Sequence, residues 1–125
     1  MTDAAISLSF PARQGYAIFL RTAVSGAAAA YDLPLDALED LREAALEAFS
    51  ALTESADEGA QALCDIYRAQ ADQVTLSLRL GGRAGVPGPE DNADITRAVL
   101  LLVNQAQVFY DARGCTGVRM TLRVG

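Results

Sequence analysis

The 125-residue chain is 51% hydrophobic, which supplies one domain with a real core and leaves little room for a second. Ten arginines against sixteen carboxylates give a net charge of −6, a balance that disfavours a nucleic-acid partner and suits a protein one. Histidine and lysine are both absent, which excludes Ser-His and Cys-His nucleophilic pairs, histidine metal sites, Schiff-base lysines and a P-loop lysine, and leaves any chemistry to carboxylates, arginine and hydroxyls.

Ile6, Leu8 and Phe10 alternate with Ser7 and Ser9 and stop at Pro11, the pattern of a half-buried strand closed by a residue without an amide hydrogen. From about Arg13 to Ala30 the spacing becomes helical, with Tyr16, Leu20, Ala23, Val24 and Ala27 on one stripe and an alanine run at 27–30. Tyr31-Asp32-Leu33-Pro34 breaks that helix, and Asp36 with Glu39 reads as a capping pair for a second helix running to about Thr53. Its apolar face is Leu38, Leu41, Ala45, Ala48, Phe49 and Leu52. Ala56-Asp57-Glu58-Gly59 is a turn, Ala62 to Arg68 a buried strand, and Val74, Leu76, Leu78 and Leu80 alternate with polar residues in a further strand.

Four glycines and two prolines make 81–89 a loop, and Asp91, Asn92 or Asp94 can cap a third helix. Ile95 to Val103 is apolar on nearly all sides, as expected of a helix packed on a sheet. Val108 to Tyr110 and the alternation Val118, Met120, Leu122, Val124 predict two closing strands joined across Asp111 to Gly117. The order predicts an α+β fold, a single domain over 1–125. Three helices would cover one face of a mixed, mainly antiparallel sheet in a two-layer α/β sandwich. Cys64 and Cys115 lack disulfide or metal spacing and read as reduced, packed thiols. No basic start leads into an apolar run and no segment approaches the ~20 apolar residues of a membrane span, so a cytoplasmic location without membrane contact is expected.

The segment Pro11-Ala12-Arg13, with Tyr16, Arg21 and Ser25-Gly26, followed by the helix Ala37 to Ala48, resembles the amino-terminal half of the anti-sigma-factor serine kinases of the GHKL, histidine-kinase-like ATPase superfamily. The closing segment Asp111 to Leu122 is similar to that family's last hairpin, and the element order matches, so the resemblance covers nearly the whole chain. It implies a Bergerat-like sandwich with a shortened lid. It also implies partner binding through the first helix, with Arg13, Tyr16 and Arg21 as partner-binding residues and Arg21 at the surface shared by sigma factor and anti-sigma antagonist.

The active family needs a catalytic glutamate, an asparagine one turn later to hold Mg²⁺, an adenine-reading aspartate after the third strand, and a glycine-rich lid. Here Glu47 falls on the glutamate, but Ala51 takes the place of the asparagine and Leu80 that of the aspartate, with Gly82 keeping that motif's first glycine. Ala93 and Ile95 stand where lid glycines belong. The resemblance therefore implies a degenerate member, a regulatory protein-binding domain without nucleotide or metal. An ATP-dependent serine kinase acting on an anti-sigma factor antagonist is the alternative, with Glu47 as base and Asp91, Asn92 or Asn104 on Mg²⁺. A dimerisation or sensory subunit sharing only the fold is the third reading. The small-residue run 23–30 permits a helix-mediated homodimer, and Gly81, Gly82, Gly85 and Gly88 a phosphate nest.

Overall fold

The computed structural model describes residues 3–68, 70–88 and 94–124. The chain builds β1 (Asp3–Pro11), a 3-10 turn (Gln14–Tyr16), α1 (Ala17–Ala30), α2 (Leu35–Ser55), β2 (Gln61–Arg68), β3 (Gln73–Leu80), β4 (Val86–Pro87), α3 (Asp94–Leu100), β5 (Gln105–Asp111) and β6 (Gly114–Arg123). The strands form one six-stranded sheet in the order β1-β2-β3-β6-β5-β4, and every pairing is antiparallel. The sheet is thus purely antiparallel among the described residues, where a mixed one was expected. Part of the reason is the helical hairpin: α1 carries the chain away and α2 brings it back to the end it left. Gln61 therefore pairs with Pro11, and β2 must run against β1.

Side chains alternate across the strands, so one face of the sheet is apolar and the other polar. Ile66, Val74, Leu76, Leu78, Leu80, Val118 and Met120 are buried in one cluster with Leu20 and Val24 of α1 and Leu41, Phe49 and Leu52 of α2. Asp65, Ser77, Arg79, Arg119 and Arg123 take the alternate positions and none of them is buried. Helices cover the first face. Burying a leucine- or phenylalanine-sized side chain contributes about 1.5–3 kcal/mol, and the run of alanines at 44, 45 and 48 lets α2 approach closely enough to seal this face.

Local signals behave unevenly. α1 ends as expected at Tyr31, whose amide reaches the Ala27 carbonyl, and Asp32 takes the left-handed conformation at φ 53°. Arg68 locks this corner to β2, donating to the Tyr31 carbonyl at 2.6 Å with its guanidinium 4.5 Å from the Tyr31 ring centre. Asp36, by contrast, is no N-cap: α2 starts at Leu35 after Pro34, whose fixed φ ends the preceding extended stretch, and Asp36 accepts from the Ala37 amide. α3 is shorter than the apolar run predicts. Only Val99 in it is buried, and Leu101 beyond it is 86% exposed, because the helix packs against α2 and β5 and no further layer covers it.

The expected loop 81–89 contains β4, and its path is constrained by length. β4 lies three strand spacings from β3, about 14 Å. The connection Gly81–Gly85 must cross β6 and β5 on the way, and its six Cα steps span at most about 20 Å. The loop therefore hugs the sheet. Gly85 passes so close that a Cβ there would lie 2.0 Å from Thr116 Oγ1 and 3.0 Å from the backbone of Tyr110.

Candidate functional site

The residues expected to bind a partner converge at the start of α1. Phe49 and Phe10, both buried, continue outward through a tilted Phe10–Phe19 contact at 6.2 Å and a stacked Phe19–Tyr16 pair at 5.8 Å, and the Arg13 guanidinium lies 5.4 Å from the Tyr16 ring centre. This ladder runs from core to solvent. It holds Phe19 at 48% exposure beside Ile18 at 63%, with the exposed Arg21 one turn on. β1, which leads into this corner, is an edge strand of the sheet. The small residues of α1 serve mainly internal packing: Ala23, Val24, Ala27 and Ala28 are buried, leaving Ser25, Gly26, Ala29 and Ala30 outside.

The kinase-type residues do not converge. Glu47 is exposed on α2, and Ala51, one turn later, lines a cavity of about 440 Å³ bounded by the end of α2, the start of α3 and the β5–β6 turn. Glu54, Ile95 and Arg113 share that lining, whereas Gly82 sits across the sheet, exposed, at φ +76°. Leu80 is wholly buried. Asn104 accepts from the Arg123 amide at 2.6 Å in the turn before β5, outside this cavity's lining; Asp91, Asn92 and Ala93 lie outside the described residues. Among the described residues no group of three or more carboxylate or cysteine side chains could hold a metal ion. Both thiols are packed: burial, with Asp65 adding to it, pushes Cys64 up to about 12, and burial raises Cys115 too.

A second cavity of about 440 Å³ lies on the helix-free face of the sheet. Its floor is Ser77 and Arg79 of β3, Gly117 and Arg119 of β6 and Phe109 of β5; its roof is the connection 82–85. The registers place these residues in two adjacent rows. Arg79, Gly117 and Phe109 stand opposite one another, and Ser77 stands opposite Arg119. The Arg119 guanidinium is 5.8 Å from the Phe109 ring centre. Arg83 pins the roof, donating to both Asp111 oxygens at 2.8 and 2.7 Å and to the Ser55 carbonyl at the end of α2. The Arg83 hydrogen bonds, joined by one from the Arg113 amide, hold the Asp111 carboxyl well below the usual carboxylate range.

This grouping escapes sequence reasoning. Arg79 and Arg119 stand forty residues apart, and only the β3–β6 register makes them neighbours. The available signal was the arginine at the polar position of each alternation, Ser77-Leu78-Arg79 and Val118-Arg119-Met120, with the half-buried Phe109 at the matching position of the next strand. Among the described residues no helix is long and apolar enough to cross a membrane. No protein-family model matches the chain, and no curated protein matches it significantly.

Proposed function

We propose that this chain is a non-catalytic regulatory domain of the anti-sigma-factor type, which binds a protein partner through the start of α1 and the adjoining edge of the sheet. The observation that carries this reading is the exposed pair Ile18 and Phe19, of which Phe19 is joined through Phe10 to the buried Phe49, flanked by Arg13, Tyr16 and Arg21. Aromatic and arginine side chains already fixed before contact lose little entropy on binding and dominate interface energies. The element order, strand, two helices, two strands, helix, two strands, matches the resembled family once the two-residue β4 is set aside. The Bergerat-like sandwich belongs to this proposal.

Three features support the non-catalytic half. Ala51 offers a methyl group where a metal-holding side chain is needed, Leu80 has no exposed atom to read a base, and Gly82 is on the opposite side of the sheet from Ala51's cavity. The expected partner is a sigma factor or an anti-sigma factor antagonist.

The test is titration of the purified chain against the sigma factors and anti-sigma factor antagonists of the same genome. One partner should bind, and the pair Ile18→Ala and Arg21→Glu should weaken it at least tenfold. Each variant should cost no more than about 0.5 kcal/mol in stability, since surface changes are mild. Binding that survives the pair of substitutions, or no binding by any such partner, overturns the docking surface. Mg-ATP at 1 mM should leave the melting temperature unchanged; a rise, which linkage demands of any ligand specific to the folded state, overturns the non-catalytic half.

A further inference from the structure

We propose that the cavity on the helix-free face binds a small aromatic anion, with its carboxylate or phosphate between Arg79 and Arg119 and its ring against Phe109. The inference rests on a different face and different residues from the docking surface at α1. Arg79 and Arg119 are diagonal neighbours on paired strands, since Arg79 faces Gly117 and Arg119 lies two residues further along β6. Diagonal side chains of this length reach one another. Both line the same cavity.

Among the described residues neither has a carboxylate within salt-bridge distance. Asp65, diagonal to Arg79 on the neighbouring β2, accepts from the Ser7 hydroxyl. A chain of net charge −6 thus keeps two exposed cations side by side at this cavity with no carboxylate ion pair among the described residues. An oxyanion between them would accept charge-assisted, potentially bidentate hydrogen bonds, and the Ser77 hydroxyl opposite Arg119 adds a third donor.

The rest of the cavity sets the ligand's body. Phe109 presents a half-buried ring on the same row as Arg79, and between the two stands Gly117, where a Cβ would meet the Arg79 Cβ at 3.2 Å. The missing side chain leaves a flat floor leading from the guanidinium to the aromatic face, suited to a planar ring. The roof is fixed in place by the Arg83 bonds to Asp111 and Ser55, so the space exists before a ligand arrives. Its volume of about 440 Å³ is at the lower end of ordinary ligand pockets, which favours a one- or two-ring acid over a dinucleotide.

The experiment is an amide NMR titration of the full chain with phenyl phosphate, benzoate, inorganic phosphate and benzyl alcohol. Phenyl phosphate or benzoate should bind with Kd of about 0.1–3 mM, the range for molecules of this size, and move the amides of Ser77, Arg79, Phe109, Gly117 and Arg119. Which of the two binds tighter identifies the acid group. Arg79→Gln with Arg119→Gln, both at exposed positions, should weaken binding at least tenfold while the spectrum stays folded. Phe109→Leu should weaken phenyl phosphate several-fold and leave inorganic phosphate unchanged. Equal binding of benzyl alcohol, undiminished binding to the double arginine variant, shifts confined to other surfaces, or no shifts at 10 mM would each overturn the proposal.

Discussion

Gly85→Ala tests whether the β3–β4 connection hugs the sheet as tightly as its length requires. The new methyl carbon would stand 2.0 Å from Thr116 Oγ1, more than an ångström short of ordinary contact, and 3.0 Å from both N and O of Tyr110. Neither neighbour can yield cheaply. Thr116 is 2% exposed and β-branched, so its rotation is restricted and no solvent lies beside it; the Tyr110 backbone is held between Val86 and Cys115. The strain therefore falls on the loop, lifting β4 from β5 and loosening the Arg83 anchor. Overpacking of this kind costs about 1–3 kcal/mol, and in a domain of this size each kcal/mol is worth roughly 3–5 °C in melting temperature. Urea unfolding of the wild type, Gly85→Ala, Thr116→Ala and the double variant measures both the cost and its source. Thr116→Ala alone should destabilise, yet in the Gly85→Ala background it should be neutral or favourable, a coupling of about 0.5–3 kcal/mol. If Gly85→Ala lies within 0.5 kcal/mol of wild type and Thr116→Ala costs the same in both backgrounds, the close crossing is wrong.

Two further outcomes concern pH. Because the folded Cys64 thiol is pushed to about 12 while an unfolded thiol titrates at about 8.5, the stability it contributes is intact below about pH 8.5 and is lost as pH rises toward the folded value. The loss is about 1.4 kcal/mol per pH unit, so the stability gap between wild type and Cys64→Ala should shrink by about 2 kcal/mol between pH 8 and 10 in urea unfolding; a gap independent of pH would contradict the burial. For Asp111 the sign is opposite. Its folded carboxyl is held down by Arg83 and the Arg113 amide, so its contribution is present above the unfolded carboxylate value of about 3.9 and fades as pH falls below it. The difference between wild type and Asp111→Asn should be flat from pH 5 to 8 and narrow below pH 4, and a difference that narrows already at pH 6 would refute the assignment.

The strands were legible where a period of two ran between clear breakers. Val74 to Leu80 and Val118 to Leu122 alternate over their whole lengths, and Pro11 and Gly59 mark ends. What was illegible is non-local. A strand of two residues, Val86–Pro87, carries no periodicity, and its existence depends on β5 being there to receive it. The tail of the predicted third helix misled because an apolar run says nothing of which layer waits to bury it; Leu100 and Leu101 meet none. Asp36 and Glu39 matched a capping pattern, but Pro34 sets the helix start one residue ahead of Asp36, leaving its carboxylate inside the first turn. The partner-binding candidates Arg13, Tyr16 and Arg21 do share one corner, because the 3-10 turn and the first turns of α1 are contiguous in sequence. Glu47 and Gly82 belong to different layers and could be joined only by a pocket the resemblance supplied, not by spacing.

The helix-free cavity and the core are tied by one register. The pairing that sets Leu78 opposite Val118 and Leu76 opposite Met120, burying all four, also sets Ser77 opposite Arg119 and Arg79 opposite Gly117 on the other face. A slip of β6 by one residue against β3 would carry Val118 and Met120 to solvent and Arg119 into the core, a cost of several kcal/mol from the apolar side chains alone at about 1.5–3 kcal/mol each. The position of the arginine pair is therefore enforced by the hydrophobic face beneath it. Replacing either arginine perturbs only the polar face, because the register is held by residues it never touches. Binding on this face can thus be altered by substitution without unfolding the domain, whereas changes at Leu78 or Met120 would remove both together.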